Sequence, residues 1–292
     1  MSIDRLQDKI RKTKNPAVLD LDMTKEQIPP HLLAEEGSFL KAYTRACLEL
    51  MEGLRGIVPA VRFNFGGLAL MGTEGLVALS RVLDHARKMG FYILLDVPEA
   101  LSVQRAQQNA EVLFSEGSDW VFDGLIVSAY IGSDGIKPYA QQLQEQDKAL
   151  FVAVRTGNRS ALELQDLLTG GRHVYEAKTD IVNRFKNTQA TKSGYDRVAV
   201  IGPASAASIL RKIREKYKNL FILVDGYDYS GANAKNCADA FDKFGHGAVV
   251  CAGGSVTAAW QIAENDGTEY VNDAREAAER MKKNLTRYFT VL

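Results

Sequence analysis

Carboxylates and one arginine stand at the ends of short apolar runs, where a sheet of parallel strands would gather them at one edge. Asp20 and Asp22 alternate within Leu-Asp-Leu-Asp-Met, so an extended backbone puts both carboxylates on one face. Arg62 opens Arg-Phe-Asn-Phe, and Asp96 closes Tyr-Ile-Leu-Leu-Asp. Such groups can grip ligand hydroxyls, hold a cation in place or carry a proton. They can equally cap the next helix, and for Asp22 and Asp96 the two readings stand level. Further on, Asp225-Gly226-Tyr227 leads to Ser230-Gly231-Ala232, and Gly253-Gly254-Ser255 opens the last helical pattern. Backbone N–H groups in such turns can cradle a phosphate, although glycines also serve plain tight turns. No cation is firmly placed to complete a phosphate cage.

Other chemistry has little support. His31, His85, His173 and His246 are scattered, and no Cys/His or Ser/His pair falls at a strand end, so nucleophilic catalysis has no visible machinery. Cys47, Cys237 and Cys251 lack any paired spacing and read as buried thiols in a reducing compartment. Neither a metal site nor a cofactor is expected.

The elements that must position these residues follow from eight apolar runs: 17–21, 60–65, 92–96, 124–128, 150–154, 197–201, 220–224 and 248–252. Each is rich in Val, Ile, Leu or aromatics with almost no polar alternation, as expected of strands covered on both faces. Helical patterns separate them, and eight strand–helix repeats predict a (β/α)8 TIM barrel, an α/β fold with its chemistry at the C-terminal strand ends. The polar helical pattern at 2–15 is expected to close the barrel bottom. Further helices are expected over 31–58, 73–90, 102–114, 136–146, 205–217, 233–244 and in the tail from 255. The long connection from Arg155 to Asp196, with Gly170-Gly171 inside it, predicts a lid or an extra helix.

The chain has 292 residues, and its 36 basic and 36 acidic side chains give zero formal net charge. That balance supplies no global field to draw nucleic acid or an anionic membrane. The start is charged and lacks the apolar core of a signal peptide, and no stretch approaches the ~18–20 apolar residues of a membrane span. One domain over 1–292 in the cytoplasm is expected.

Taken together, these residues resemble the orotidine 5′-phosphate decarboxylase family, in its longer bacterial branch. The resemblance spans nearly the whole chain. It is carried by Ile3-Asp4-Arg5-Leu6, Asn15-Pro16-Ala17-Val18, Val58-Pro59-Ala60-Val61, Ser128 through Pro138, Val152-Ala153-Val154-Arg155-Thr156-Gly157-Asn158, Leu164-Gln165-Asp166-Leu167 and Gly226-Tyr227. The family's active-site charges include Asp-x-Lys-x-x-Asp at strand three, whose lysine protonates the carbanion left when CO2 departs. Here Asp96 matches the first aspartate, but Pro98 falls on the lysine and Leu101 on the second aspartate. Arg62 stands for the strand-two lysine, and Gly254 for the arginine that grips phosphate. Asp225 replaces a proline, and Asp228-Tyr229 begins what is a glycine-rich loop in the family. Asp22 keeps the position that contacts the nucleotide.

The resemblance therefore implies catalytic positions at Asp96 and Arg62, with vestigial ones at Pro98 and Leu101. It implies substrate-binding positions at Asp22, Thr156, Gly226, Tyr227, Gly253, Gly254 and Ser255. The expectation is a noncatalytic paralogue that binds a nucleotide-like small molecule, or pairs as a homodimer or as a heterodimer with an intact paralogue. One alternative is an active decarboxylase using Glu99 or Arg62 in new roles. Another is a binder of a different, less anionic molecule. The mouth is expected to be neutral or acidic, with Arg62 its one assigned cation.

Overall fold

Eight parallel strands close on themselves in chain order, the first pairing with both the second and the eighth. They are Ala17–Asp20, Ala60–Asn64, Tyr92–Asp96, Gly124–Ser128, Ala149–Ala153, Val198–Pro203, Ile222–Asp225 and Ala248–Ala252. The computed structural model describes every residue except 144, 187–190, 230 and 292. The barrel forms because each run is apolar on both faces. One face (Leu19, Val61, Ile93, Leu125, Val152, Val200, Ile222, Val250) packs under the surrounding helices. The other (Val18, Leu94, Ile126, Phe151, Ile201, Phe221, Leu223, Val249) fills the barrel interior.

Helix α1 (Ser2–Thr13) puts Ile3, Leu6 and Ile10 into that interior cluster, so the polar helical pattern at 2–15 closes the bottom through one apolar face. The expected helix over 31–58 is two, α2 (Pro30–Glu36) and α3 (Phe39–Leu54). Gly37 at φ 67° ends the first, and the Ser38 side chain caps the second, a stop and start that a moderately periodic sequence conceals. The pattern at 73–90 becomes α5 (Thr73–Met89), ended by Gly90 at φ 82°.

The pattern after strand four shrinks to a 3-10 turn at Gly132–Gly135 and Lys137–Gln142, and after strand seven to Ala234–Ala238. There the Asp242 carboxylate accepts from the Phe244 and His246 amides, which fixes a turn where more helix was expected. The tail breaks into Gly254–Thr257, Ala259–Ile262 and Tyr270–Leu285, with Gly267 at φ 79° between the last two. The long fifth connection holds a hairpin, Leu168–Thr169 with Arg172–His173 around Gly170-Gly171, and then a helix over Val174–Val182. Among the described residues no helix is long and apolar enough to cross a membrane.

Candidate functional site

The strand register decides which charges meet. Asp20 and Arg62 are paired residues on adjacent strands, as are Asn64 and Asp96. Arg62 Nη2 lies 2.8 Å from Asp20 Oδ2 and Nε lies 3.1 Å from Oδ1, a bidentate contact. Its remaining Nη1 crosses the mouth to Asp225 Oδ1 of strand seven, at 2.9 Å. Arg62 and Asp20 are each 15 % exposed, Asp225 42 %. The cation expected to stand in the mouth is thus clamped between two carboxylates, and its planar fork matches that role.

Burial raises the Asp20 carboxyl above its ordinary range despite Arg62, with Asp225 and Asp22 adding repulsion. Asp96 is pushed up to about 6, first by burial and then by repulsion from Asp20, Asp225 and Asp22, against the pull of Arg62. Because folding raises this pKa, the folded form binds the extra proton, and the stability penalty of the charged form grows as pH climbs from about 4 to 6. Asp96→Asn removes that charge. The variant is expected to be more stable than the parent at pH 7 by at most about 3 kcal/mol, with the gain vanishing below pH 4. Urea unfolding at the two pH values checks it, and an equal gain at both would show that the effect is not electrostatic.

Neither aspartate of the level reading is a helix cap. Asp22 is exposed and accepts from Asn64 Nδ2 at 2.9 Å. Thr24 occupies the cap position of the turn that follows, and Ser102 caps α6 (Val103–Leu113) through Arg105 N. Asn64 caps the short helix α4 (Phe65–Ala69) through its other side-chain atom, at 2.9 Å from Gly67 N.

A cavity of about 530 Å³ opens beside the clamp, lined by Asp20, Arg62, Thr156, Asp225, Gly226, Tyr227 and Gly253-Gly254-Ser255 among others. Its size suits a small ligand. A larger depression, about 630 Å³, lies between α3 and α5 on the outer flank, away from the strand ends that serve chemistry in this fold.

Most of the assigned binding positions do line the cavity, yet several are already engaged. Thr156 gives its amide to Gln165 Oε1 (2.8 Å) and its hydroxyl to Asn158 Oδ1 (2.6 Å). Tyr227 is buried, its phenol pushed up to about 12 by burial and the nearby Asp228 charge. Gly253-Gly254-Ser255 opens a helix of only four residues, so little macrodipole stands behind its amides. A β-carbon at Gly254 would come within 2.6 Å of Gln27 Nε2; the Gln27 amide fills the space beside it. Asn158, from the segment that carries the resemblance, and Tyr229, from the altered loop after strand seven, line the cavity too, as do Gln27 and Ser205, which nothing in the sequence marks. Ser230 lies outside the described residues.

The vestigial positions stand apart from this cavity. Pro98 is exposed on the segment after strand three, and a β-carbon at Gly66 would be 3.3 Å from its ring. Leu101 is 61 % exposed. Glu99 accepts from Ser128 Oγ at 2.6 Å. Burial holds the Cys251 thiol well above its ordinary range, so it is no ready nucleophile. Among the described residues no group of three or more His, Cys, Asp or Glu side chains is placed to hold a metal ion.

Curated proteins named orotidine 5′-phosphate decarboxylase match this chain nearly end to end. That of Clostridium novyi is 28% identical over 287 residues, 98% of each chain. That of Rhodopirellula baltica is 28% identical over 250 residues, 82% of this chain and 83% of its own. The chain is an orotidine 5′-phosphate decarboxylase-like barrel. The solved structure of Leishmania donovani OMP decarboxylase covers 98% of both chains with a TM-score of 0.74 at 22% identity. That of the Plasmodium berghei enzyme reaches 0.77 over the same shares at 13% identity. No family model matches the chain. In this decarboxylase-like barrel the scaffold is kept, while Arg62 lies in an ion-paired clamp rather than free in the mouth.

Proposed function

We propose that this decarboxylase-like barrel, one unit over 1–292, has given up the decarboxylation of pyrimidine biosynthesis and persists as a cytoplasmic binding or partner subunit. The observation that carries the reading is the clamp. Arg62 is spent on Asp20 and Asp225, and guanidinium does not release a proton near neutral pH. Pro98 has no proton to give and Leu101 has no charge. An ultraviolet assay of the purified protein with orotidine 5′-phosphate tests this. Turnover that disappears in an Asp96→Ala control overturns the reading, whereas turnover that survives in the control marks a contaminating enzyme.

One observation favours a second reading. With its pKa at about 6, the Asp96 carboxyl still carries a proton in part of the population near neutrality, and could act as a substitute general acid. The same control separates the two.

As a partner subunit the chain pairs with itself or with an intact paralogue. Sedimentation is expected to give about twice the 32.2 kDa chain mass. A monomer at micromolar concentration that gains no mass on adding the paralogue would exclude both forms of pairing.

A further inference from the structure

We propose that Gln27 is the specificity-determining residue of this mouth. Its carboxamide closes the wall at Gly254 against a basic side chain, so this end of the cavity takes a neutral polar group of a ligand rather than a phosphate. The inference rests on the reading that decarboxylation is lost and binding kept, and it names the ligand class of that same site. In barrels of this kind the turns after strands seven and eight are a frequent seat for phosphate. Here Gly226 and Gly253-Gly254-Ser255 from those turns line the cavity. Arg62 is the one cation among the described residues of the lining, and it is engaged by Asp20 and Asp225. A phosphate at this end therefore meets no free cation, and it gains little over a hydroxyl.

What bars a side chain at position 254 is this neighbour, not the backbone. Gly254 is not among the glycines at positive φ, the region that excludes most other residues. Beyond its chain neighbours and its own helix, the only atoms within 4 Å of a β-carbon there would be Gln27 Nε2 at 2.6 Å and Cδ at 3.8 Å. The carboxamide is held where it stands. Thr24 N donates to Gln27 Oε1 at 2.9 Å, so swinging the side chain aside breaks that bond. The loop carrying it is latched to the short helix Ala259–Ile262. Trp260 Nε1 donates to the Gln27 carbonyl at 3.2 Å, and Gln261 Nε2 to the Glu26 carbonyl at 2.6 Å. Gln27 Nε2 has no hydrogen-bond partner among the described residues, and Gln27 lines the cavity. Its N–H groups are thus left to donate to a ligand carbonyl or hydroxyl.

Calorimetric titration of the full chain with uridine and uridine 5′-phosphate, which differ only by the phosphate, is the test. It is run on the parent, Gln27→Ala, Gly254→Arg and the double variant. The parent is expected to bind uridine at least as tightly as uridine 5′-phosphate. Gln27→Ala is expected to loosen uridine about fivefold, the worth of one neutral hydrogen bond. The double variant is expected to prefer the phosphate about tenfold, as a charge-assisted contact provides. Gly254→Arg alone is expected to gain much less, because Gln27 stands at its β-carbon. A parent that prefers uridine 5′-phosphate tenfold would overturn the proposal. So would the full phosphate preference in Gly254→Arg alone, a uridine Kd unmoved in Gln27→Ala, or no binding of either compound by any of the four proteins. A parallel orotidine 5′-phosphate assay keeps the two readings apart. Turnover there removes the lost-chemistry reading, while no turnover together with any of those results removes only this inference.

Discussion

Given orotidine 5′-phosphate, the purified protein is expected to leave the substrate's ultraviolet absorbance unchanged over hours. Losing a general acid alone typically costs ~10²–10⁴ in rate. The arginine replaced by Gly254 would have bound the phosphate remote from the reacting carbon, and binding energy of that kind is spent on orienting the reacting centre. With both gone, turnover is expected at least ~10⁴-fold below that of an intact relative. Restoring lysine alone, as Pro98→Lys, is expected to rescue little. Position 98 is exposed on the segment following strand three and does not line the cavity, and Leu101 leaves the returning ammonium without its second carboxylate. Adding Leu101→Asp and Gly254→Arg restores the remaining charges, and the β-carbon of the new arginine requires the Gln27 amide to give way. Rescue by Pro98→Lys alone would mean that the clamp around Arg62 is no obstacle to catalysis.

The barrel could be read from the chain because parallel strands buried on both faces leave continuous apolar runs, which spacing alone reveals. Helix ends were less legible. The division at Gly37 and the turn held by Asp242 depend on single residues whose φ or side-chain bonds a periodic pattern does not encode. In the site, the alternation of Asp20 and Asp22 reads as two carboxylates on one face of strand one, but only Asp20 lies in that strand and lines the cavity. Which of them matters most was hidden, because strand one stops at Asp20 and leaves Asp22 exposed. That Arg62 bridges to Asp225 is a fact about the width of the mouth, since the two residues are 163 positions apart. Gln27 and Ser205 carry no motif. They reach the cavity only because the loops holding them fold over the strand ends.

Arg62→Met is expected to destabilise the protein by about 3–5 kcal/mol at pH 7, the usual cost of stranding a buried charge. Methionine keeps most of the volume, so packing loss is small and the effect reports electrostatics. Without the guanidinium, Asp20 at 15 % exposure has no cation to offset its burial, and Asp225 and Asp96 face it as like charges. The Asp20 and Asp96 carboxyls, already raised by burial, then lose the pull of Arg62 and titrate higher still in the folded state than in the unfolded chain. The sign follows: the folded form takes up protons as pH falls, so the loss shrinks on acidification and is greatest above neutrality. Urea unfolding at pH 7 and pH 5 reads both the size and the direction. The double variant Arg62→Met with Asp20→Asn should recover much of the loss at pH 7, because no buried charge is then left unpaired. A loss below about 1 kcal/mol for Arg62→Met, the range of an exposed ion pair, would mean that water reaches Asp20 freely. The clamp would then be a surface contact, and Arg62 would again be available to a ligand in the mouth.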